Sequence, residues 1–134
     1  MALVLFGCAK SDATIAYALI GNKEYKLEIA DDSAERTKGL SNRQRIAGDG
    51  GMIFVFEKTD FHSFWMKDTL IPLEILWLDA DFMVVDKKLM PVEEDPTNPQ
   101  NDYIPSAPAR YVIEINPLGA AADVNVGDVI DVAF

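Results

Sequence analysis

One stretch in the middle of the chain places a tryptophan, a lysine and a threonine at alternate positions. Trp65, Lys67 and Thr69 would share one face of a strand, and Asp68 would point to the other, because successive strand side chains alternate between faces. An indole ring beside an ammonium group and a hydroxyl group could form one wall of a small-ligand site. The alternative is structural: Trp65 fills core, the commoner role of an aromatic strand residue.

Two charged residues in apolar surroundings could complete such a site. Glu74 directly precedes the apolar run Ile75–Leu78, so its carboxylate should be partly buried and should need a partner. Arg110 is the only basic residue after Lys88, and we expect it to pair with Glu74 or Asp68. In the structural interpretation, this pair would link two strands. In the functional one, the guanidinium group of Arg110 would bind a ligand carboxylate or phosphate at the sheet edge.

A basic stretch follows a predicted helix start. Asp32 can cap a helix whose Glu35 reaches back, and Gly39 would end it. The pattern of Ser41 and Gln44 repeats this spacing for a second short turn. The stretch contains Arg36, Lys38, Arg43 and Arg45. These residues form either solvated helix faces or a small patch for an anion or a partner.

The remaining chemistry-bearing residues exclude several mechanisms. A single histidine, His62, excludes multi-histidine zinc sites, and a single cysteine excludes an internal disulfide and CxxC sites. Ser63 would point away from His62 on a strand, and no nucleophile elbow or P-loop is present. The spacing of Asp95, Asn98, Asn101 and Asp102 does not fit a calcium loop, and an irregular calcium site there is the less favoured alternative. We therefore expect no metal and no cofactor.

Length and charge set further limits. The chain has 134 residues, enough for one domain, and its apolar fraction of 49% excludes a disordered chain. Its net charge of −10 would be repelled by a phosphate backbone, so we expect no nucleic-acid partner. No segment approaches the ~20 apolar residues of a membrane-spanning helix.

The first residues could mark an exported protein. Residues 1–8 form an apolar run that ends in Gly-Cys, as in bacterial lipoprotein signals, so Cys8 is a candidate for lipidation and the only expected tether to a membrane. Residues 1–12 would then be a tail or a signal remnant, and residues 13–134 a single domain. The predicted location is periplasmic or lipid-anchored. The alternative is a cytoplasmic protein whose terminus is frayed or forms a short edge strand.

The pattern of turns and apolar runs predicts a mainly β fold. Gly21-Asn22 and Ala80-Asp81 each separate two β-prone runs, and Phe61–Met66 is another predicted strand. Pro91–Pro108 contains five of the seven prolines, which predicts a long loop. About eight short strands and one or two short helices are expected, arranged as a compact antiparallel β-sandwich or barrel.

Several motifs together resemble the DUF192 family, also called UPF0127, whose members have no known function. The resemblance rests on three blocks, which are Arg36–Leu40 with Gly51–Phe56, Phe64–Ile75, and Pro108–Glu114 with Gly127-Asp128. The family implies a compact β-rich domain, and many members begin with an export signal. Its motif usually has Asn where this chain has Asp68 and Asp where it has Glu74, so a role that needs the amide donor of that Asn is in doubt here.

Two functions of different classes remain open, and the sequence does not decide between an enzyme and a non-enzyme. The first is an exported small binding or accessory module for an unknown protein or a small anionic ligand, with a partner surface along Phe64–Thr69 and Pro91–Pro108. The second is a small hydrolase- or lyase-type enzyme that uses Asp68, Glu74 and Arg110, with or without His62. A purely structural role is the third reading.

Overall fold

The computed structural model describes residues 14–117 and 123–134, which form nine strands and one short helix. The strands are β1 (Ile15–Ile20), β2 (Lys23–Ala30), β3 (Gly50–Asp60), β4 (Phe64–Trp65), β5 (Leu73–Leu78), β6 (Val84–Met90), β7 (Asp102–Tyr103), β8 (Ala109–Ile115) and β9 (Asp131–Ala133). The helix is α1 (Ser33–Lys38).

Seven of the strands form one curled sheet in the order β6-β5-β8-β3-β2-β1-β9, and β4 pairs with β7 separately. The two ends of the large sheet approach each other where Met83 bridges Val129. There the amide of Val84 donates to the carbonyl of Asp128 at 2.8 Å. The prediction of a mainly β fold of short strands is confirmed.

Both predicted hairpins are present. Gly21 and Asn22 have positive φ angles of 56° and 69°, as a two-residue turn that matches strand twist requires. In the second hairpin the Asp79 carboxylate accepts the amides of Asp81 and Met83 at 2.8 and 2.9 Å. The β5–β6 register shifts beside this turn.

Two apolar cores lie on the two faces of the large sheet. Leu76 and Leu78 pack into the inner core with Ile113 and Ile115, while Trp77 packs into the outer core. The run that contains Trp77 is therefore buried on both faces, as its continuous apolar sequence predicts.

The connection from β2 to β3 determines what lies on the outer face. These two strands pair in parallel, unlike the all-antiparallel arrangement expected, so the chain between them must cross over the sheet. That crossover contains α1, which Asp32 caps by accepting the amide of Glu35 at 2.7 Å and which ends at Gly39 with φ of 50°. The second helical turn predicted after it, around Ser41, does not form. None of the α1 side chains is buried.

The predicted strand through the motif block is much shorter than expected. Only Phe64–Trp65 is extended, and the amide of Thr69 then closes a turn onto the carbonyl of Met66 at 3.1 Å. Asp68 sits in this turn with φ of 53°. The cause is tertiary, because β4 pairs only with the two-residue strand β7 inside the Pro91–Pro108 loop.

Some predictions fall on residues outside the described ranges. These are the tail 1–12 with Cys8, and most of the helical turn expected between Pro117 and Asp123. Within the described part of the chain, no helix is long and apolar enough to cross a membrane.

A glycine on β3 provides a test of the central strand pairing. A Cβ atom at Gly51 would lie 2.3 Å from the backbone oxygen of Glu114 and 2.8 Å from Cγ2 of Ile115. Gly51→Ala should therefore lower the free energy of unfolding by at least about 3 kcal/mol, because the crowded backbone cannot yield without separating the strands. Urea denaturation would measure the loss.

Gly48→Ala is the matched control, since nothing lies within 4 Å of a Cβ atom there. It should change the free energy of unfolding by less than about 1 kcal/mol. Equal stabilities of the two variants would contradict the β3–β8 packing.

Candidate functional site

A pocket of about 400 Å³ lies between α1, the outer face of the sheet and the segment that follows β4. We call it the α1 pocket. It is open to solvent at one side and lined by Ser33, Arg36, Thr37, Lys38, Gly39, Leu40, Phe54, Phe56, Ser63, Phe64, Trp65, Lys67, Thr69 and Glu114. The space exists because α1 spans the outer face without inserting a side chain into it.

The carboxyl group of Glu114 belongs to the buried part of this pocket. Glu114 lies on β8 between Met52 of β3 and Ile75 of β5, and it is only 4% exposed. No hydrogen bond or ion pair from the described residues reaches its carboxyl group. Burial raises the pKa of this group to about 8, so it is mostly protonated at neutral pH.

Aromatic rings form one wall of the α1 pocket. Phe54 and Phe64 meet edge to face with centroids 4.9 Å apart, and Phe64 lies 6.2 Å from Phe56 in the same geometry. Gly39 ends α1 beside this wall with φ of 50°, and a Cβ atom there would make only an ordinary contact with Phe54 at 3.5 Å. The same pocket lining contains these rings and Glu114.

Three cationic side chains also line the pocket. The Arg36 guanidinium group donates to the carbonyl of Val55 at 2.9 Å and lies 5.1 Å from the centre of the Phe56 ring. Lys67 Nζ lies 5.5 Å from the centre of the Trp65 ring. Lys38, at the end of α1, is the third. The two ion pairs found among the described residues are Arg43–Glu28 and Lys88–Asp86, so none of the three cations forms an ion pair there. Lys38 nevertheless lies near enough to Glu28 to contribute to the lowered pKa of that carboxyl group.

Trp65, Lys67 and Thr69 all line the α1 pocket, so the structure brings together these three of the residues that the sequence singled out. Trp65 is 54% exposed and does not fill core, unlike the structural alternative considered for it. Met66, between Trp65 and Lys67, is the residue that enters the outer core. Thr69 is buried, and its hydroxyl donates to the carbonyl of Lys67 at 3.1 Å.

Asp68, Glu74 and Arg110 are not part of the pocket lining, and the ion pair expected between Arg110 and an acid is not formed. Arg110 instead donates to the carbonyl of Phe56. The strand register explains this correction. Glu74 lies opposite Ile115, five positions along β8 from Arg110, which corresponds to about 16 Å of strand.

Asp68 links neighbouring segments through the hydrogen bonds of its backbone amide and carbonyl. Its amide donates to the carbonyl of Pro96 at 2.8 Å, and its own carbonyl accepts the amide of Asn42 at 2.7 Å. Its positive φ suits Asn and Asp, the residues other than glycine that adopt it most readily. A side-chain amide donor is therefore not needed to hold this turn.

Glu74 lies on the opposite face of the sheet from the α1 pocket. It shares the inner face with Leu76 and Leu78, and burial raises its pKa while Lys87 opposes that effect. Its charge also contributes to the raised pKa of Tyr25, a fully buried residue whose hydroxyl has no partner among the described residues. The partly buried setting expected for Glu74 is thus confirmed.

Three further groups are occupied by structural contacts. His62 stacks on Phe56 with ring centroids 3.6 Å apart and lies outside the pocket lining. Arg43 forms a two-point ion pair with Glu28 at 2.5 and 2.9 Å, beside a second hollow on the other side of α1. The exposed carboxylates of Asp31, Asp32 and Glu35 lie close enough to hold a cation, but Asp32 and Glu35 already accept backbone amides at the start of α1.

Sequence reasoning missed Glu114 as a site residue. A sequence pattern does indicate a buried carboxyl group there, because Glu114 interrupts the apolar run Val112–Ile115 of a central strand. Such a position buries a carboxyl group whichever face it takes. The basic stretch was noticed, but the sequence did not show that Arg36 and Lys38 face the same space as Lys67.

The buried acid makes stability depend on pH. Between about pH 4.5 and 8 the unfolded chain has lost the Glu114 proton while the native state keeps it, so stability falls as pH rises, at up to about 1.4 kcal/mol per pH unit. Glu114→Gln removes this dependence. Its stability advantage over the wild type should grow by a few kcal/mol from pH 5 to pH 8 in urea denaturation.

Glu24→Gln, at an exposed position of β2, should follow the wild-type profile. Parallel profiles for the wild type and Glu114→Gln would contradict the buried, protonated state of Glu114.

Comparison with known proteins supports the family resemblance. No curated protein matches the chain. A solved protein from Sinorhizobium meliloti 1021, described as a putative transcription regulator, has 29% identity and a TM-score of 0.77 over 92% of this chain and 96% of its own. A protein of unknown function from Novosphingobium aromaticivorans DSM 12444 has 28% identity and a TM-score of 0.70 over 87% of this chain and 83% of its own. The family model of DUF192, described as an uncharacterized ACR, matches residues 16–132, and the chain therefore belongs to the DUF192 family.

Proposed function

We propose that this protein is a small-ligand-binding module and that the α1 pocket takes an organic anion with a flat apolar body. The observation that carries the proposal is the Glu114 carboxyl group, which is 4% exposed, lines the pocket and has no hydrogen-bond partner among the described residues. The three cations in the same lining form no ion pair with a described residue. A pocket of about 400 Å³ is within the usual size range of small-molecule sites.

The sign of the charge argues for an anionic ligand. The chain has 22 acidic residues against 12 basic ones, yet the pocket lining contains three basic residues and only one acid, Glu114. Because Glu114 is protonated at neutral pH, the local charge is positive on a strongly negative protein. An ammonium ligand would have to approach the three cations, whereas a carboxylate or phosphate would be attracted to them.

The aromatic wall supports a flat apolar body for the ligand. Phe54, Phe56 and Phe64 provide ring surface within the pocket, and the exposed indole of Trp65 lies at its margin beside Lys67. Aromatic rings stack or meet edge to face with a favourable energy of about 0.5–1.5 kcal/mol beyond area burial.

An enzyme that uses Glu114 as a general acid is the second candidate. It is favoured by the raised pKa of Glu114, which approaches the range useful for proton transfer near neutral pH. The enzyme expected from Asp68, Glu74 and Arg110 has less support, since these three residues lie outside the pocket lining. Chemical conversion of a bound probe over hours would distinguish catalysis from binding.

A role in transcription, as in the description of the Sinorhizobium meliloti protein, would rest on that likeness alone. The net charge of −10 opposes direct contact with DNA. The α1 pocket would suit an effector-binding module better than a DNA-reading one.

The test of the ligand-binding proposal uses three probes of equal size and different charge: benzoate, benzamide and benzylamine. Benzoate should shift NMR signals of residues 36–40, 63–69 and Glu114, with an affinity that falls as salt is added. Benzylamine should not shift the NMR signals of these residues. Lys67→Gln should weaken benzoate binding severalfold, while Lys58→Gln, an exposed residue outside the pocket lining, should leave it unchanged.

Binding of benzylamine in preference to benzoate would overturn the charge assignment. The absence of shifts at the pocket with every probe at millimolar concentration would overturn the proposal as a whole.

An extracytoplasmic location stays a separate proposal that depends on Cys8. In bacteria expressing the full chain, labelled palmitate should be incorporated into the wild-type protein and not into the Cys8→Ser variant. An unlabelled wild-type protein in the soluble cytoplasmic fraction would contradict lipid anchoring.

A further inference from the structure

We propose that the Glu114 carboxyl group recognises the ligand as a hydrogen-bond donor, so that the α1 pocket selects organic anions that also carry an uncharged acceptor such as a carbonyl oxygen. This inference rests on the proposed function, since it concerns the chemistry of the same ligand. It adds a specificity-determining group and a second feature of the ligand class.

Glu114 lies on a central strand of the large sheet, between β3 and β5. Its strand neighbours are Met52 and Ile75, whose side chains belong to the outer core. They offer no polar group, so the carboxyl group can find a partner only on its open side, in the pocket. Among the described residues, the Tyr25 hydroxyl is the fully enclosed polar atom without a partner, so the Glu114 oxygens keep some accessible surface in the pocket. A ligand atom that enters the pocket would therefore be able to hydrogen-bond the carboxyl group.

The other charged groups that line the pocket with Glu114 come from two elements. Helix α1 contributes Arg36 and Lys38, and the turn after β4 contributes Lys67, while β3 contributes only the rings of Phe54 and Phe56. None of the cations bonds to the carboxyl group, and burial alone sets its proton affinity. The group therefore holds its proton at neutral pH and presents an O–H donor to the pocket.

A donor at this position defines what the ligand must supply. Its anionic group would be held by the cations, and a neutral oxygen or ring nitrogen elsewhere on the ligand would accept the Glu114 proton in a hydrogen bond. A second anionic group near Glu114 would be disfavoured once the carboxyl group ionises, because the two negative charges would repel each other.

The test compares para-acetylbenzoate with para-isopropenylbenzoate. The two anions have nearly the same shape, but only the acetyl group has an acceptor oxygen. In the wild-type protein at about pH 6, para-acetylbenzoate should bind at least about tenfold more tightly in NMR titrations, because the isopropenyl probe leaves the Glu114 donor without a partner.

Two substitutions at Glu114 test whether a hydrogen-bond donor is needed and whether its titration matters. Glu114→Gln keeps a side-chain N–H donor, so it should keep the preference for the acetyl probe, and its affinity should vary less than about twofold between pH 6 and pH 9. Glu114→Leu removes the donor without leaving a polar group buried, so it should reduce the preference to about twofold or less.

In the wild type, the affinity for para-acetylbenzoate should fall about tenfold or more as pH rises through 8. Glu24→Gln is the control expected to behave as the wild type in each titration.

The possible results distinguish a failure of the donor role of Glu114 from a failure of ligand binding itself. Equal binding of the two probes in the pocket, unchanged in Glu114→Leu, would overturn the donor role and leave ligand binding intact. A pH-independent preference in the wild type would also overturn it. The absence of pocket shifts with both probes would overturn the proposed function itself.

Discussion

The parallel pairing of β2 with β3 is the constraint on which the outer face of the protein depends. Two parallel neighbours cannot be joined by a tight turn, so residues 31–49 cross over the face of the sheet. The helical part of this crossover, α1, has six residues and buries none of them. It covers the face without filling it, and the α1 pocket is the space that remains.

The segments around the pocket hold one another by backbone hydrogen bonds. The amide of Asn42, just beyond α1, donates to the carbonyl of Asp68, and the amide of Asp68 donates to the carbonyl of Pro96 in the long loop. Inside that loop, Glu93 accepts the amide of Gln100 and the side chain of Asn101 at 2.8 and 2.9 Å. The turn that carries Lys67 and Thr69 is therefore fixed from both sides, as a preformed site requires.

The Tyr25 hydroxyl and the Glu114 carboxyl group both lack a hydrogen-bond partner among the described residues, but only the Tyr25 hydroxyl is fully enclosed. The Tyr25 hydroxyl lies within the inner core, where Glu74 and Asp49 influence its pKa. The Glu114 carboxyl group instead lines a space large enough for a ligand. This carboxyl group is therefore the one of the two that a molecule entering the pocket could contact.

Much of the fold was readable from local patterns. Gly21-Asn22, the capping residue Asp32 and the apolar run around Trp77 each identified their element correctly, because turn geometry, helix capping and two-sided burial act over a few neighbouring residues. The motif block was less predictable. Its aromatic alternation is typical of a long strand, but only a two-residue partner in the Pro91–Pro108 loop was available to pair with it.

The sequence by itself determined the mainly β class, the hairpins and the capped helix, since these follow from residues close together in the chain. Only the tertiary structure decided that β2 and β3 run in parallel, that Arg110 lies far from Glu74, and that Glu114 faces the same space as Arg36 and Lys38. Those relations depend on strand order and register, which are set by contacts between residues tens of positions apart, and no local pattern records them.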